Sequence, residues 1–249
     1  MKGKNLIYSA VFFTLILWSA SAFSADVTDF IVRPNQITIG TGYNGTTVTI
    51  SGTIPEDSIA VIRLLGERED KTFKKKGKAF GVLWMNMSSI TLHNVPGVFL
   101  LALDADTYAD GGEAWKALGL GFQSFQGKTD SLIYDEFVKL KEREGLYEIQ
   151  EGGITYGQAK DGLKTFSAEL SVPSALRKGI YDAQVFAVRN GAVVAKADHE
   201  VHAVLDGFPA LLSTMAYDHS LFYGIAATIV AILAGLLMTV VFKDKGGAH

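Results

Sequence analysis

Asp104, Asp106, Asp110 and Glu113 cluster around Tyr108 and Gly111-Gly112, and carboxylates so spaced raise two chemistries, calcium binding and general acid–base catalysis. A calcium loop of EF-hand type wants an oxygen ligand at its fifth position and glycine at its sixth, where this chain has Tyr108 and Ala109. Acid–base work needs a positioned partner, and the spacing names none. The cluster therefore reads as a solvated loop, with Asp104 and Asp106 as its ligand candidates. Met85, Met87 and His93 form a second set. Thioether and imidazole suit Cu(I), and alternate residues share a strand face. Methionines filling a core beside Trp84 explain the same letters, and core filling is the expected role. His199 and His202 are three apart on a predicted strand, which sends them to opposite faces. They are poor co-ligands there, although one can pair with Asp198 or Glu200 as a pH-sensitive surface group.

Gly40-Thr41-Gly42-Tyr43-Asn44-Gly45 matches G-x-G-x-x-G to the letter. A dinucleotide site needs a helix next, whose N-terminus receives the pyrophosphate, but Thr46 to Ser51 is β-branched and alternating. A hairpin turn is expected instead. Lys71, Lys74, Lys75, Lys76 and Lys78 make a basic run beside Glu67, Glu69 and Asp70. It reads as a charged hairpin that protects a sheet edge, with contact to anionic headgroups or an acidic partner as the functional alternative. No G-x-S-x-G, S-x-x-K or H-E-x-x-H occurs, and zero cysteines remove thiol nucleophiles, Cys-ligated zinc, iron–sulfur clusters and disulfides. No motif calls for a cofactor.

The two ends decide where these groups sit. Residues 1–25 start with Lys2 and Lys4, continue through the apolar run Leu6 to Trp18, and close on small residues, the order of a secretory signal, with cleavage expected after Ala22 or Ser24 and an uncleaved anchor over Leu6 to Phe23 as the alternative. Loss of Lys2 and Lys4 would leave 21 basic against 26 acidic residues, a balance with no footprint for nucleic acid. Leu221 to Phe242 runs 22 residues without a charge. At about 1.5 Å per residue that spans a hydrocarbon core of roughly 30 Å. Lys243 and Lys245 follow at once, so the positive-inside rule puts the tail 243–249 in the cytoplasm and the bulk of the chain outside the bacterial inner membrane. Gly224, Ala227, Ala231 and Gly235 recur at helical spacing and form a possible helix-packing face.

Between the ends, residues 26–205 read as a mainly β, immunoglobulin-like sandwich. Alternating segments around Ile37, Val48 and Ile59 to Leu64, then Val82 to Met87 and Val98 to Leu103, are bounded by Gly, Asn or Pro. The period changes over about 104–146, a helical insertion. Thr129 to Glu144 carries Ile133, Phe137 and Leu140 on one stripe, with a Thr/Asp start and Gly145 past its end, and Asp110 to Leu118 is a shorter helical candidate. Strands resume around Phe166 to Val172, and the runs Ile180 to Val188 and Ala192 to Leu205 flank Asn190-Gly191, a hairpin signal because a type I′ turn needs positive φ at both central residues. Residues 206–220 put Phe208, Leu211, Leu212 and Met215 on one face of a juxtamembrane helix expected at the membrane surface.

The order of TGYNGTTVTISG (Thr41 to Gly52), FGVLWMN (Phe80 to Asn86), NVPG (Asn94 to Gly97), helix, EGLYE (Glu144 to Glu148), LSVPSALRKGIYDAQVFAVRNG (Leu170 to Gly191), GF (Gly207, Phe208) and LFYG (Leu221 to Gly224) resembles the alphaproteobacterial transmembrane protein family. The similarity covers nearly the whole chain and departs after Asn94-Val95-Pro96, where Gly97 and Val98 precede Phe99. The resemblance implies a single-pass inner-membrane protein, often encoded near permeases of the sulfite-exporter type, and supplies no catalytic residues. The expected function is that of a non-enzymatic, membrane-anchored periplasmic accessory or interaction protein, whose partner is another membrane or periplasmic protein or a second copy through the transmembrane helix. The alternative is a periplasmic small-ligand or metal-binding module, and an enzyme acting through Asp104, Asp106 or Glu113 ranks last.

Overall fold

The computed structural model describes residues 30–79, 82–104 and 118–243. Twelve strands precede the last two helices: β1 Phe30–Arg33, β2 Gln36–Ile39, β3 Thr46–Pro55, β4 Ile59–Leu65, β5 Arg68–Ala79, β6 Leu83–Pro96, β7 Phe99–Leu103, β8 Tyr147–Glu151, β9 Ile154–Lys160, β10 Leu163–Val172, β11 Gly179–Arg189 and β12 Ala192–Leu205. Helix α1, Ser131–Arg143, lies between β7 and β8, behind a 3-10 turn at Phe122–Phe125. Helices α2, Gly207–Tyr217, and α3, Ser220–Lys243, end the described chain. The mainly β reading and the C-terminal apolar helix hold.

The strands form three sheets, ordered β1-β3-β10-β9, β2-β12-β11-β4-β7-β8, and β5-β6. The first core lies between the four- and six-stranded sheets, where Val48, Ile50 and Leu170 meet Ile62, Leu64, Ala183 and Val185. On the opposite face of the six-stranded sheet, Val61, Phe99, Leu101 and Phe186 pack under Leu92 and Val95 of β6, Phe122, and Tyr134 and Phe137 of α1. That sheet is thus covered on both sides. Its inner strands carry near-continuous buried runs in place of the alternation seen in β10, because a strand with no solvent face has no position for polar residues.

The helical insertion has a topological cause. Strands β7 and β8 are parallel neighbours, with Phe99 opposite Tyr147, and parallel neighbours need a crossover that a tight turn cannot supply. Helix α1 belongs to that crossover. Asp130 caps it by accepting from Leu132 N–H at 2.9 Å, and Gly145 ends it in the left-handed region at φ 68°. The docked side is Tyr134 and Phe137, one residue away from the stripe read off the sequence, and Ile133 and Leu140 are only half-buried.

Two turns sort differently. Asn190 and Gly191 have φ 50° and 72°, the type I′ pattern expected between β11 and β12. The Gly40 to Gly45 segment is not a hairpin turn. It carries the chain from β2 in the six-stranded sheet to β3 in the four-stranded one, so the turn residues serve a crossing between layers. Gly45 is required there: its φ is 89°, and a Cβ would lie 2.7 Å from the Val172 carbonyl oxygen.

Candidate functional site

The anchored end organises the site. β12 finishes at Leu205, and α2 and α3 follow. Ser220–Phe242 has a mean hydropathy of 2.6 and is unburied by any other part of the described chain. Length and composition both suit a bilayer crossing. On α3, Gly224, Ala227, Ala231 and Gly235 fall within one face at 100° per residue, and a Cβ built on either glycine meets nothing within 4 Å.

Helix α2 is turned in a definite way. Lys178 Nζ donates to Ser213 Oγ at 3.3 Å and lies 5.7 Å from the Tyr217 ring centre. At 100° per residue Ser213 and Tyr217 sit on the side opposite Phe208, Leu211, Leu212 and Met215. Lys178 touches α2 on that side, and the apolar stripe is left uncovered, with Phe208, Leu211 and Leu212 all exposed. Beside this contact is a cavity of about 300 Å³ walled by the root of β5, the end of α1 and the loop before β11.

The β5–β6 arm is the other outlying element. Its root is at the anchored end: Glu69 and Lys71 line the cavity together with Lys141 near the end of α1. Phe73 then meets Phe137, one helical turn nearer the start of α1, ring centres 5.8 Å apart. The arm therefore runs along α1 away from the anchored end. With 12 residues in β5 it measures roughly 40 Å at about 3.3 Å per residue. Between arm and helix lies an apolar groove of about 440 Å³, lined by Phe73, Ile90, Leu92, Ile133, Phe137 and Leu140, with Lys74, Glu136 and Arg143 among its polar groups.

The arm bears on two sequence readings. The lysine run lies in β5, one strand of a charged hairpin as expected, with Lys74, Lys76 and Lys78 exposed, and that hairpin forms a two-stranded sheet of its own. Met85 and Met87 do not fill a core: they are 47% and 59% exposed, beside Val82 at 84% and Leu83 at 61%. Among the described residues nothing beyond α1 forms a second layer over the far end of this two-stranded arm. Met87 lies over Gly77, where a Cβ would come within 2.7 Å of its Cγ, and the register shifts between Lys75 and Lys76.

His93 does not join the methionines. It stands six residues from Met87 on the same strand, roughly 20 Å away, whereas ligands to one metal meet within a few ångströms. Its Nδ1 is 2.8 Å from Asp70 Oδ2, while Asp70 Oδ1 accepts from Asn94 N–H at 2.9 Å. These contacts, the backbone one first, hold the Asp70 carboxyl below its ordinary pKa. His202 Nε2 lies 3.9 Å from Glu200, and His199 meets the Phe30 ring edge-on. Asp104 is half-buried at the end of β7, and Asp106, Asp110 and Glu113 fall outside the described residues, as does all but Leu118 of the shorter helical candidate. Among the described residues no group of three or more His, Asp or Glu side chains is placed to hold a metal ion.

The sequence reading passed over Arg63, whose guanidinium is enclosed in the second core at 8% exposure. Nε and Nη2 donate to Gln184 Oε1 at 2.9 and 2.7 Å, and Nη1 donates to the Leu120 carbonyl at 3.4 Å. The rings of Phe186, Phe125 and Phe99 lie 5.1, 5.8 and 5.9 Å from Cζ. Burial, then the charge of Arg68, brings its pKa down to about 10, and Asp198 pulls the other way. Arg63 stands between apolar neighbours in β4 as a surface position would, so only the second layer over the sheet reveals its burial. The arrangement is a polar anchor in an aromatic core, and Arg63 lines neither of the two cavities described above.

No curated protein is similar enough to match the chain. Residues 30–244 match the family described as "Putative transmembrane protein (Alph_Pro_TM)", and the chain belongs to that family.

Proposed function

We propose that this is a non-enzymatic, membrane-anchored accessory protein whose body lies in the periplasm and whose β5–β6 arm is its docking element. The observation that carries the reading is the far end of the arm: Val82, Leu83, Met85 and Met87 are exposed on an element that runs away from the anchored end. Contiguous exposed apolar side chains rimmed by charge are what an interaction surface presents. The exposed lysines alongside match an acidic rim on the partner. The signal-like residues 1–25 and the lysines after α3 support export of the body and a cytoplasmic tail. The strand order supports an immunoglobulin-like sandwich, since β1-β3-β10-β9 and β4-β11-β12 follow the ABED and CFG orders of that fold. In the membrane, the small-residue face of α3 is offered to a second helix, and a permease of the sulfite-exporter type is the partner the family resemblance implies.

Photocrosslinking side chains placed at Leu83 and Met87 in cells, with Lys196 as a control position, test the docking role. A discrete adduct from the arm positions and none from position 196 supports it. Identical labelling patterns from all three would refute it.

A further inference from the structure

The cavity at the anchored end is ringed by cations. Lys71 is paired with Glu69, and Lys141 with Glu144 at 2.8 Å. Arg177 and Lys178, which complete the wall, form no ion pair among the described residues. Glu67 is the carboxylate of the wall without an ion-pair partner among those residues. Lys178 also links the wall to α2, because it contacts Ser213 and Tyr217 on the side opposite the uncovered stripe of Phe208, Leu211 and Leu212. A polar hollow with surplus positive charge thus stands on one side of α2, and an apolar strip on the helix's far side faces away from the protein. Those two features in that order match a molecule with an anionic head and an oily body.

We propose that this cavity binds the phosphate of an anionic phospholipid headgroup, with the acyl chains passing beside α2 into the apolar layer that its stripe faces. Arg177 and Lys178 supply the attraction, and Lys71 and Lys141, held by their own carboxylates, shape the pocket. Glu67 opposes the bound phosphate and weakens it. The proposal rests on the reading of α2 as a helix at the membrane surface, not on the arm or its partner.

The test uses the full-length chain in neutral detergent micelles, with bound lipid counted by native mass spectrometry. Phosphatidylglycerol, phosphatidylcholine and inorganic phosphate are titrated in separate arms. One retained phosphatidylglycerol, no retained phosphatidylcholine and no displacement by millimolar inorganic phosphate are expected. Each cation near an anionic surface contributes about a fivefold factor, so Arg177→Gln and Lys178→Gln should each weaken binding about fivefold and the pair more than either alone. Arg177→Lys should keep most of the affinity, and Glu67→Gln should raise it. Equal retention of both lipids, wild-type affinity in the Arg177→Gln/Lys178→Gln variant, or weaker binding in Glu67→Gln would overturn the proposal. Displacement of the lipid by inorganic phosphate would assign the cavity to a soluble anion and overturn the lipid assignment. Because the chain is purified, failure of the docking role for the arm leaves all these outcomes unchanged.

Discussion

Replacement of Gln184 by leucine should damage the second core, and adding Arg63→Met should repair it. In the native chain the Arg63 guanidinium has two hydrogen bonds to Gln184 Oε1 and one to the Leu120 carbonyl. A hydrogen bond to a charged group contributes about 1.5–3 kcal/mol, and an enclosed charge stripped of its partner costs about 3–5 kcal/mol. Gln184→Leu leaves Nε and Nη2 without acceptors among Phe99, Phe125 and Phe186, so a loss of about 3–5 kcal/mol is expected. Arg63→Met alone frees the site of a charge but orphans Gln184 Oε1 and forfeits the ring contacts. These effects oppose each other, and the net change should stay within about 1.5 kcal/mol. With both changes no polar group is left unpaired, and the double variant should regain at least about 2 kcal/mol over Gln184→Leu. Urea unfolding of the full-length chain in detergent micelles, followed by near-ultraviolet circular dichroism of the aromatic cluster, measures all three. A double variant no more stable than Gln184→Leu, or a Gln184→Leu variant within about 0.5 kcal/mol of wild type, would refute the reasoning.

Other consequences follow from the same geometry. Tyr134 and Tyr147 donate to the Phe122 and Pro96 carbonyls at 2.6 and 2.7 Å, and burial raises both phenol pKa values above the ordinary 10. The unfolded chain then releases these protons first, so stability present below pH 10 falls as pH rises beyond it. An alkaline titration of the circular dichroism should show that fall, and Tyr134→Phe should make it shallower; an unchanged profile counts against a buried phenol. Gly45→Ala should cost about 2 kcal/mol or more, because both φ and the Val172 carbonyl oppose a Cβ, while Gly42→Ala, with nothing within 4 Å, should change little in the same urea assay. Leu83→Ser with Met87→Ser should leave stability within about 0.5 kcal/mol but remove the arm crosslink; a large loss of stability would mean these side chains are part of a core.

What was legible in the sequence was whatever depends on local chemistry. Asn190-Gly191 marks its turn because positive φ is demanded of both residues, and Asp130 and Gly145 mark the ends of α1 because its unpaired backbone groups need them. The uncharged run from Leu221 marks α3 because lipid cannot satisfy a charge. What was not legible depends on the second layer. Alternation reports one wet face, and β4, β7 and β11 have none, so nothing in the pattern marks Arg63 as enclosed or Phe99 as the centre of an aromatic cluster. Tyr134 was missed for a related reason: α1 docks on the sheet with one side while the arm flanks the other, which leaves Ile133 and Leu140 on the groove. Strands β8 and β9 carry too few apolar residues to declare themselves, although Asp161-Gly162, with φ 55° and 77°, announces the turn after β9 as Asn190-Gly191 does elsewhere. Met85 and Met87 misled because a methionine has the same letter in a core and on an exposed arm.

Thiol labelling from one side of the membrane tests directly whether α3 crosses it with the β body on the outer side. The chain has no cysteine, so a single one at Leu83 or at Ala248 is a unique reporter. Intact spheroplasts treated with a membrane-impermeant maleimide should label Leu83→Cys at once and Ala248→Cys only after lysis. Labelling of Ala248→Cys in intact spheroplasts, with Leu83→Cys protected until lysis, would contradict the account.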